Sequence, residues 1–152
     1  MSNTTQAFLA DTTQRAVTSI ATALLNLPED KRNWSPGGNA RTALDMVAEC
    51  AINNDVTATL IEARRWADHD HGAYLARKAD LVAAGWDAVK ELLDKNTERL
   101  VAVIRAVPDD ALDIPVETPY GGGPLSGIMT YPYWNMSYHE GQINYIAAIL
   151  GL

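Results

Sequence analysis

Three polar side chains near the end of the chain fall on one face of a predicted helix. Asn135, His139 and Gln142 stand at positions i, i+4 and i+7, a spacing that brings their side chains to the same side. Apolar neighbours such as Tyr138 and Ile146 lie on or beside this face, so we expect it to point into the protein. A buried polar group without a partner costs about 1–3 kcal/mol. The pattern therefore indicates either a hydrogen-bond network between helices or a metal or substrate site.

One acidic residue, Glu49, lies in the middle of an apolar stretch, residues 43–52. Glutamate is seldom fully buried unless it is paired, and burial away from cations raises its pKa. If no cation meets it, Glu49 is a candidate general base or a protonated hydrogen-bond donor. The structural alternative is a carboxylate that is partnered by a nearby arginine or tyrosine. In both interpretations Glu49 is the most informative carboxylate of the chain.

Other reactive residues carry a weaker functional signal. The Asp-His-Asp-His run at residues 68–71 contains ligands for a surface metal, although solvated loop residues are the favoured interpretation of His69 and His71. Cys50 would need a lowered pKa and access to act as a nucleophile, and in an apolar helix it is expected to pack as a small hydrophobic residue. The glycines at 121–123 lack the lysine and the preceding strand of a phosphate loop. We expect them to form a turn over the mouth of the fold.

Four segments have the helical spacing of apolar residues that would position these groups. They cover residues 4–26, 40–66, 79–106 and from 127 or 130 to 150, and none shows the alternation of a half-buried strand. Pro132 is compatible with the last helix if Thr130 is the N-cap. A long connection at residues 67–74 joins the second and third helices and leaves room for a short helical piece. The sequence thus predicts an all-α four-helix bundle, in one domain over residues 1–152.

Composition limits the partners and the location of the protein. The chain has 152 residues, of which 47% are hydrophobic and 20% charged, and its net charge is −7. Nucleic acids and anionic membranes attract basic surfaces, so we expect neither as a partner. Cys50 is the only cysteine, which is compatible with a reducing compartment. Neither a signal peptide nor an apolar span of about 18–20 residues is evident, and we therefore expect a cytoplasmic protein.

Two sequence motifs resemble those of one known family. The closing motif, His139-Glu140-Gly141-Gln142-Ile143, is similar to the H-x-G-Q-I signature of the DinB-like (DinB/YfiT-like) proteins. Residues 34–36 (Trp-Ser-Pro) and 41–49 resemble that family's first loop and the start of its second helix. The resemblance follows the order of the helices along nearly the whole chain, and it implies the four-helix bundle of the DinB/YfiT-like type.

The resemblance also implies a metal site. In the family, three histidines bind a divalent metal, one from the second helix and two, spaced four residues apart, from the last. His139 matches the last of these histidines, whereas Asn135 and Glu49 stand at the other two positions. The implied ligands are thus Glu49, Asn135 and His139, with Glu49 also the catalytic residue. An amide oxygen is a weak ligand, so zinc or nickel would bind less tightly than to three histidines. Manganese or magnesium with waters is an alternative, and so is a site without metal.

The activity that the resemblance implies is that of a metal-dependent hydrolase or thiol transferase acting on a small molecule. Glu49 would be a ligand or a base, and His139 the anchoring ligand. The alternative is a non-catalytic bundle that has lost the metal and binds a small ligand or a second copy of itself. A helical interaction module is a third hypothesis, although no partner surface is evident. A homodimer is also expected, because bundles of this family often pair through helices.

Overall fold

The computed structural model describes residues 4–68 and 70–152 and is mostly helical. No helix in these two stretches has the length and hydropathy that a membrane span requires. Two short strands, β1 (Pro115–Val116) and β2 (Gly123–Pro124), pair antiparallel. The described α-helices are α1 (Thr4–Leu25), α2 (Ala43–Ala63), α3 (His71–Ala84), α4 (Trp86–Ala106) and α5 (Leu125–Leu150), and single 3-10 turns occupy Glu29–Lys31 and Asp109–Ala111.

The core lies where the apolar faces of the four long helices meet. α2 packs against α4 and α5, and α1 packs against the same two helices. Buried side chains in the core include Ile20, Val47, Leu93 and Ile143, one from each of these helices. Full burial of such a side chain stabilises the fold by about 1.5–3 kcal/mol. The all-α four-helix bundle predicted from the spacing of apolar residues is therefore confirmed.

The third predicted helix is two helices in the structure. α3 and α4 meet at Gly85, whose φ of 92° is a conformation that glycine adopts readily and other residues rarely do. The apolar stripe continues across this break, so periodicity did not reveal it. α3 begins at His71, where Oδ1 of Asp70 accepts hydrogen bonds from the N–H groups of residues 72 and 73. Much of the predicted connection between the second and third helices is thus helical.

The last helix begins at Leu125, earlier than predicted. The N–H groups of Leu125 and Ser126 donate to the carbonyl groups of residues 114 and 112, at 2.8 and 2.9 Å, so the chain before β1 caps the helix. Thr130 is therefore not the N-cap, and its hydroxyl instead donates to the carbonyl of Ser126 at 3.0 Å. Pro132 lies inside the helix. Because proline has no N–H, the carbonyl of residue 128 loses its helical hydrogen bond.

The C-terminal end of α2 has a left-handed residue that is not glycine. Arg64 has φ 55° and ψ 25°, and its N–H donates to the carbonyl of Leu60. Glycine adopts this conformation without the steric penalty of a Cβ. We expect Arg64→Gly to raise the free energy of unfolding by about 0.5–1 kcal/mol, as measured by urea denaturation. Arg65→Gly is the control and should lower the stability, because among the described non-glycine residues only Arg64 has a positive φ.

Candidate functional site

Glu49 is the centre of a polar cluster between α2 and α5. Its Oε1 accepts a hydrogen bond from Nε2 of His139 at 3.0 Å, and its Oε2 lies 2.6 Å from Nη1 of Arg41. The side chain of Glu49 is 17% exposed and that of His139 is 6% exposed, so their contact is largely shielded from water. Of the two interpretations of Glu49, the structure shows the carboxylate that is paired with an arginine.

His139 has a hydrogen-bond partner at each ring nitrogen. Nε2 donates to Glu49, and Nδ1 lies 2.7 Å from Oε1 of Gln142. The orientation of the Gln142 amide decides whether it accepts from Nδ1 or donates to it. Tyr138 packs edge-on against the imidazole, with 5.4 Å between the ring centroids. Two residues of the polar face predicted for the last helix, His139 and Gln142, therefore contact each other, and His139 also contacts Glu49 of α2.

The charged cluster continues from Glu49 to α3. Nε of Arg41 lies 2.5 Å from Oδ2 of Asp45, and Nζ of Lys78 lies 3.0 Å from Oδ1 of the same carboxylate. Positive and negative groups therefore alternate from Lys78 through Asp45 and Arg41 to Glu49. The sequence-based reasoning missed Arg41 as a partner of Glu49. The signal was available, because residues 41, 45 and 49 are four apart, the spacing that places side chains on one side of a helix.

The pKa of Glu49 is set by opposing causes. Burial raises it, but the hydrogen bond from His139 and the positive charge of Arg41 outweigh burial, so the pKa lies below its usual 4.5. A carboxyl group with a lower pKa in the folded protein stabilises the fold at pH values above its unfolded pKa. This contribution is lost as the pH falls through the folded pKa.

We therefore expect the free energy of unfolding to decrease with acidification below about pH 4.5, in part through Glu49. Glu49→Gln removes the titrating group and should lower this slope, by at most about 1.4 kcal/mol per pH unit. Urea denaturation at several pH values between about 3 and 6 measures the slope. Glu62→Gln, a change of an exposed acid on the same helix, is the matched control. Equal slopes for the wild type and Glu49→Gln would contradict the expectation.

Asn135 lies one turn before His139 but faces a different neighbour. Its Nδ2 donates to Sγ of Cys50 at 3.6 Å, and both side chains are buried. Burial, followed by the negative charge of Glu49, raises the pKa of Cys50. The thiol is therefore neutral and packs as a small hydrophobic residue, as predicted. The three residues predicted as metal ligands lie in one region, with Asn135 bonded to Cys50 rather than to Glu49 or His139.

The donor atoms in this region do not fit a metal held by three protein ligands. Both oxygens of Glu49 already have partners, Nε2 of His139 donates to one of them, and the amide of Asn135 donates to Cys50. Within residues 4–68 and 70–152, no group of three or more His, Cys, Asp and Glu side chains could hold a metal ion. Metal ligation by Glu49, Asn135 and His139 stays a prediction, and it requires these side chains to rearrange.

Of the two histidines in the 68–71 run, His71 is among the described residues. His69 lies outside the described residues. His71 is the first residue of α3 and is exposed. Its ring stacks on that of Tyr74, with 6.0 Å between the centroids, and both residues line a cavity. His71 is therefore a wall residue of a pocket rather than part of an open loop.

This cavity, with a volume of about 660 Å³, opens beside Glu49. Its walls come from α2, Trp66, α3, residues 118–123 and the first turns of α5. The glycines at 121–123 line it, and Gly123 belongs to β2. The sequence did not reveal the pocket, because its walls come from separate parts of the chain. Its polar and aromatic lining residues are Glu49, Asn53, Thr57, Trp66, His71, Tyr74, Thr118, Tyr120 and Tyr131.

Comparison with known proteins shows which fold this is. No family model matches the sequence, and no curated protein matches it. The chain superposes on YfiT from Bacillus subtilis, described as a probable metal-dependent hydrolase with an unusual four-helix bundle topology, with a TM-score of 0.80 at 12% identity. That match covers 99% of this chain and 90% of YfiT. A DinB-like protein from Bacillus subtilis gives a TM-score of 0.68 at 11% identity, with 95% and 92% covered.

A third structure is that of a mycothiol-dependent maleylpyruvate isomerase, with a TM-score of 0.75 at 16% identity. The match covers 89% of this chain but only 59% of the isomerase, so this chain spans about three fifths of that protein. At identities this low, the similarity shows a common fold only. The activities of these proteins are not assigned to this chain by it. The fold implied by the closing motif is confirmed: the chain is a helical bundle of the DinB/YfiT-like type.

Proposed function

We propose that this protein binds a small molecule in the cavity beside Glu49, with the carboxylate as the polar anchor of the ligand. The observation that carries the proposal is an ionised Glu49, held by Arg41 and His139, in the wall of a cavity of about 660 Å³. Ligand pockets are usually about 300–1,000 Å³, mostly apolar, with a few fixed polar groups. A carboxylate that accepts two hydrogen bonds still has lone pairs for a ligand. Its lowered pKa suits Glu49 to hold a donor better than to remove a proton.

NMR titration with phenethylamine and phenethyl alcohol tests binding in this cavity. We expect saturable shifts of amide signals from lining residues such as Asn53 and Gly122. Val56→Trp adds a bulky ring to the cavity wall and should abolish these shifts. Thr59→Trp, on the exposed side of the same helix, is the matched control and should retain them. Shifts that persist in Val56→Trp would contradict binding in this cavity.

A metal-dependent hydrolase or thiol transferase is the second candidate function. Glu49 and His139 approach within 3.0 Å of each other, and YfiT is described as a probable metal-dependent hydrolase. In this case Glu49, Asn135 and His139 would hold zinc, nickel or manganese, and Glu49 would be the catalytic residue. Arg41 and His139 would first have to release the oxygens of Glu49.

Elemental analysis of untagged protein and calorimetric titration with Zn²⁺, Ni²⁺ and Mn²⁺ separate the two candidates. Stoichiometric metal that is present in the wild type and in His71→Ala but lost in His139→Ala would support the second candidate. Protein that contains no metal and binds none on titration would contradict it.

A homodimer through α5 is a further part of the proposal. Tyr131, Trp134, Tyr138 and Tyr145 form a stripe along this helix and are 39%, 55%, 52% and 69% exposed. Together they leave on the order of 500 Å² of uncharged, mainly aromatic surface open, against about 800 Å² per partner in a standard interface. Two chains that each carry a net charge of −7 repel one another. The repulsion is smallest when they meet through an uncharged face of this kind.

Gly141 lies in the same stripe and supports close approach of a second helix. Apart from the adjacent residues and the nearby backbone of α5 itself, a Cβ at this position would meet no described atom within 4 Å, so the fold of one copy does not require glycine. Glycine inside a helix costs about 1 kcal/mol relative to alanine. We expect Trp134→Arg to give monomers in analytical ultracentrifugation, whereas Tyr133→Arg, on another side of α5, should remain dimeric. A monomeric wild type would contradict the proposal.

A further inference from the structure

The described lining of the cavity contains an acidic residue but no lysine or arginine. Among its described lining residues, Glu49 is the one acid, and none is lysine or arginine. Arg41 contacts Glu49 but is not itself a lining residue, and its guanidinium is shared with Asp45. A ligand in the cavity therefore meets the carboxylate directly and meets no described lysine or arginine side chain. An anionic group would face Glu49 with no lysine or arginine in the described part of this wall to balance it.

Aromatic rings form much of the remaining surface. Trp66 and Tyr120 meet edge-on, with 5.8 Å between their centroids, and His71 stacks on Tyr74. Tyr131 lines the cavity as well. The faces of tryptophan and tyrosine attract cations within about 6 Å of the ring, with tryptophan the strongest. Rings beside a carboxylate are the surroundings that favour an organic cation.

Two of the tyrosines that line the cavity, Tyr74 and Tyr131, respond to the charge of Glu49. Burial raises the pKa of Tyr131 to about 12, and the negative charge of Glu49 adds to the effect. For Tyr74, burial and then the charge of Glu49 raise the pKa, and the opposing effect of Arg41 is smaller. At Tyr74, the effect of the negative charge of Glu49 on the pKa is therefore larger than that of the positive charge of Arg41.

We infer that the ligand of this cavity carries an organic ammonium group, held by the carboxylate of Glu49 and the surrounding aromatic rings. The inference rests on the proposed binding function and names its ligand class. The apolar part of such a ligand would pack on side chains such as Val56, Leu60 and Ile128, which also line the cavity. A carboxylate ligand of equal size is expected to be excluded.

Three probes of similar size and different charge test this inference: phenethylamine, phenethyl alcohol and hydrocinnamate. Calorimetry at pH 7 and low salt should show the amine binding about tenfold more tightly than the alcohol, and no binding of the acid. The Glu49→Gln variant should bind the amine with the same affinity as the alcohol. Glu62→Gln, which removes an exposed acid outside the cavity, should leave the preference unchanged.

Trp66, an uncharged residue of the cavity wall, provides a second pair of variants. Trp66→Leu keeps an apolar side chain but removes the ring. It should weaken the binding of the amine more than the binding of the alcohol. Trp66→Phe restores a ring and should recover part of the preference. NMR shifts at the cavity would support the binding function whichever probe causes them. If the amine and the alcohol bound with equal affinity, or if the acid bound most tightly, the inference about the ammonium group would be overturned. No shift at the cavity with any probe would contradict the binding function itself.

Discussion

Replacing His139 with alanine is expected to lower the free energy of unfolding by about 2–4 kcal/mol. The imidazole is buried, and its removal leaves a cavity between α2 and α5. It also removes the hydrogen bond to Oε1 of Glu49 and the partner of Gln142. The loss stays below the roughly 3–5 kcal/mol that leaving a buried carboxylate unpaired would cost, because Arg41 still pairs with Glu49.

Urea denaturation monitored by circular dichroism measures this loss. His71→Ala is the control, since His71 is exposed, and should change the stability by less than about 0.5 kcal/mol. A loss below about 1 kcal/mol for His139→Ala would contradict a stabilising role of the buried cluster.

The double substitution Glu49→His and Asn135→His is expected to create a zinc site with His139, raising zinc affinity on the order of 100-fold or more over the wild type. His139 and the side chain at 49 are already in contact, and residues 135 and 139 are one turn apart on the same helix. Two histidines at i and i+4 on one helix face are an established zinc-binding pattern. Arg41 would keep Asp45 as its partner after Glu49 is replaced.

Calorimetric titration with Zn²⁺ measures the gain. The matched control combines Glu49→His with Asn144→His, since Asn144 is an exposed asparagine on another side of α5. That protein has the same number of histidines but only two at the site, and should bind zinc much more weakly. Equal affinity of the two double variants would show that position 135 does not converge with positions 49 and 139.

The bundle and the contact between Glu49 and His139 could be predicted for the same reason. Each residue lies within an apolar helical segment, and two such segments must pack their apolar faces together. The break at Gly85 could not be predicted in this way, because the apolar side chains of α3 and α4 continue the same spacing on both sides of it. The early start of α5 depends on hydrogen bonds to residues 112 and 114, which lie before the hairpin.

The cavity was harder to foresee than the partner of Glu49. Trp66, Tyr74 and Tyr120 come from three separate segments, and nothing in their local sequence shows that they share one wall. The spacing of residues 41, 45 and 49 could have identified Arg41 as the partner of Glu49, although Arg41 itself precedes α2. The three-histidine pattern of the DinB-like family predicts a metal ligand at position 49. The structure instead shows a guanidinium on the carboxylate.

No side chain of α3 is fully buried, although the helix forms one wall of the cavity. Besides its partly buried residues Leu81 and Val82, its attachment includes the ion pair between Lys78 and Asp45. Amide hydrogens of this helix should therefore exchange with deuterium well before those of the long helices, which open only with the core. A ligand could then reach Glu49 by local opening of α3 while the bundle stays folded. Added salt should speed this opening, because it weakens the attraction between the lysine and the aspartate.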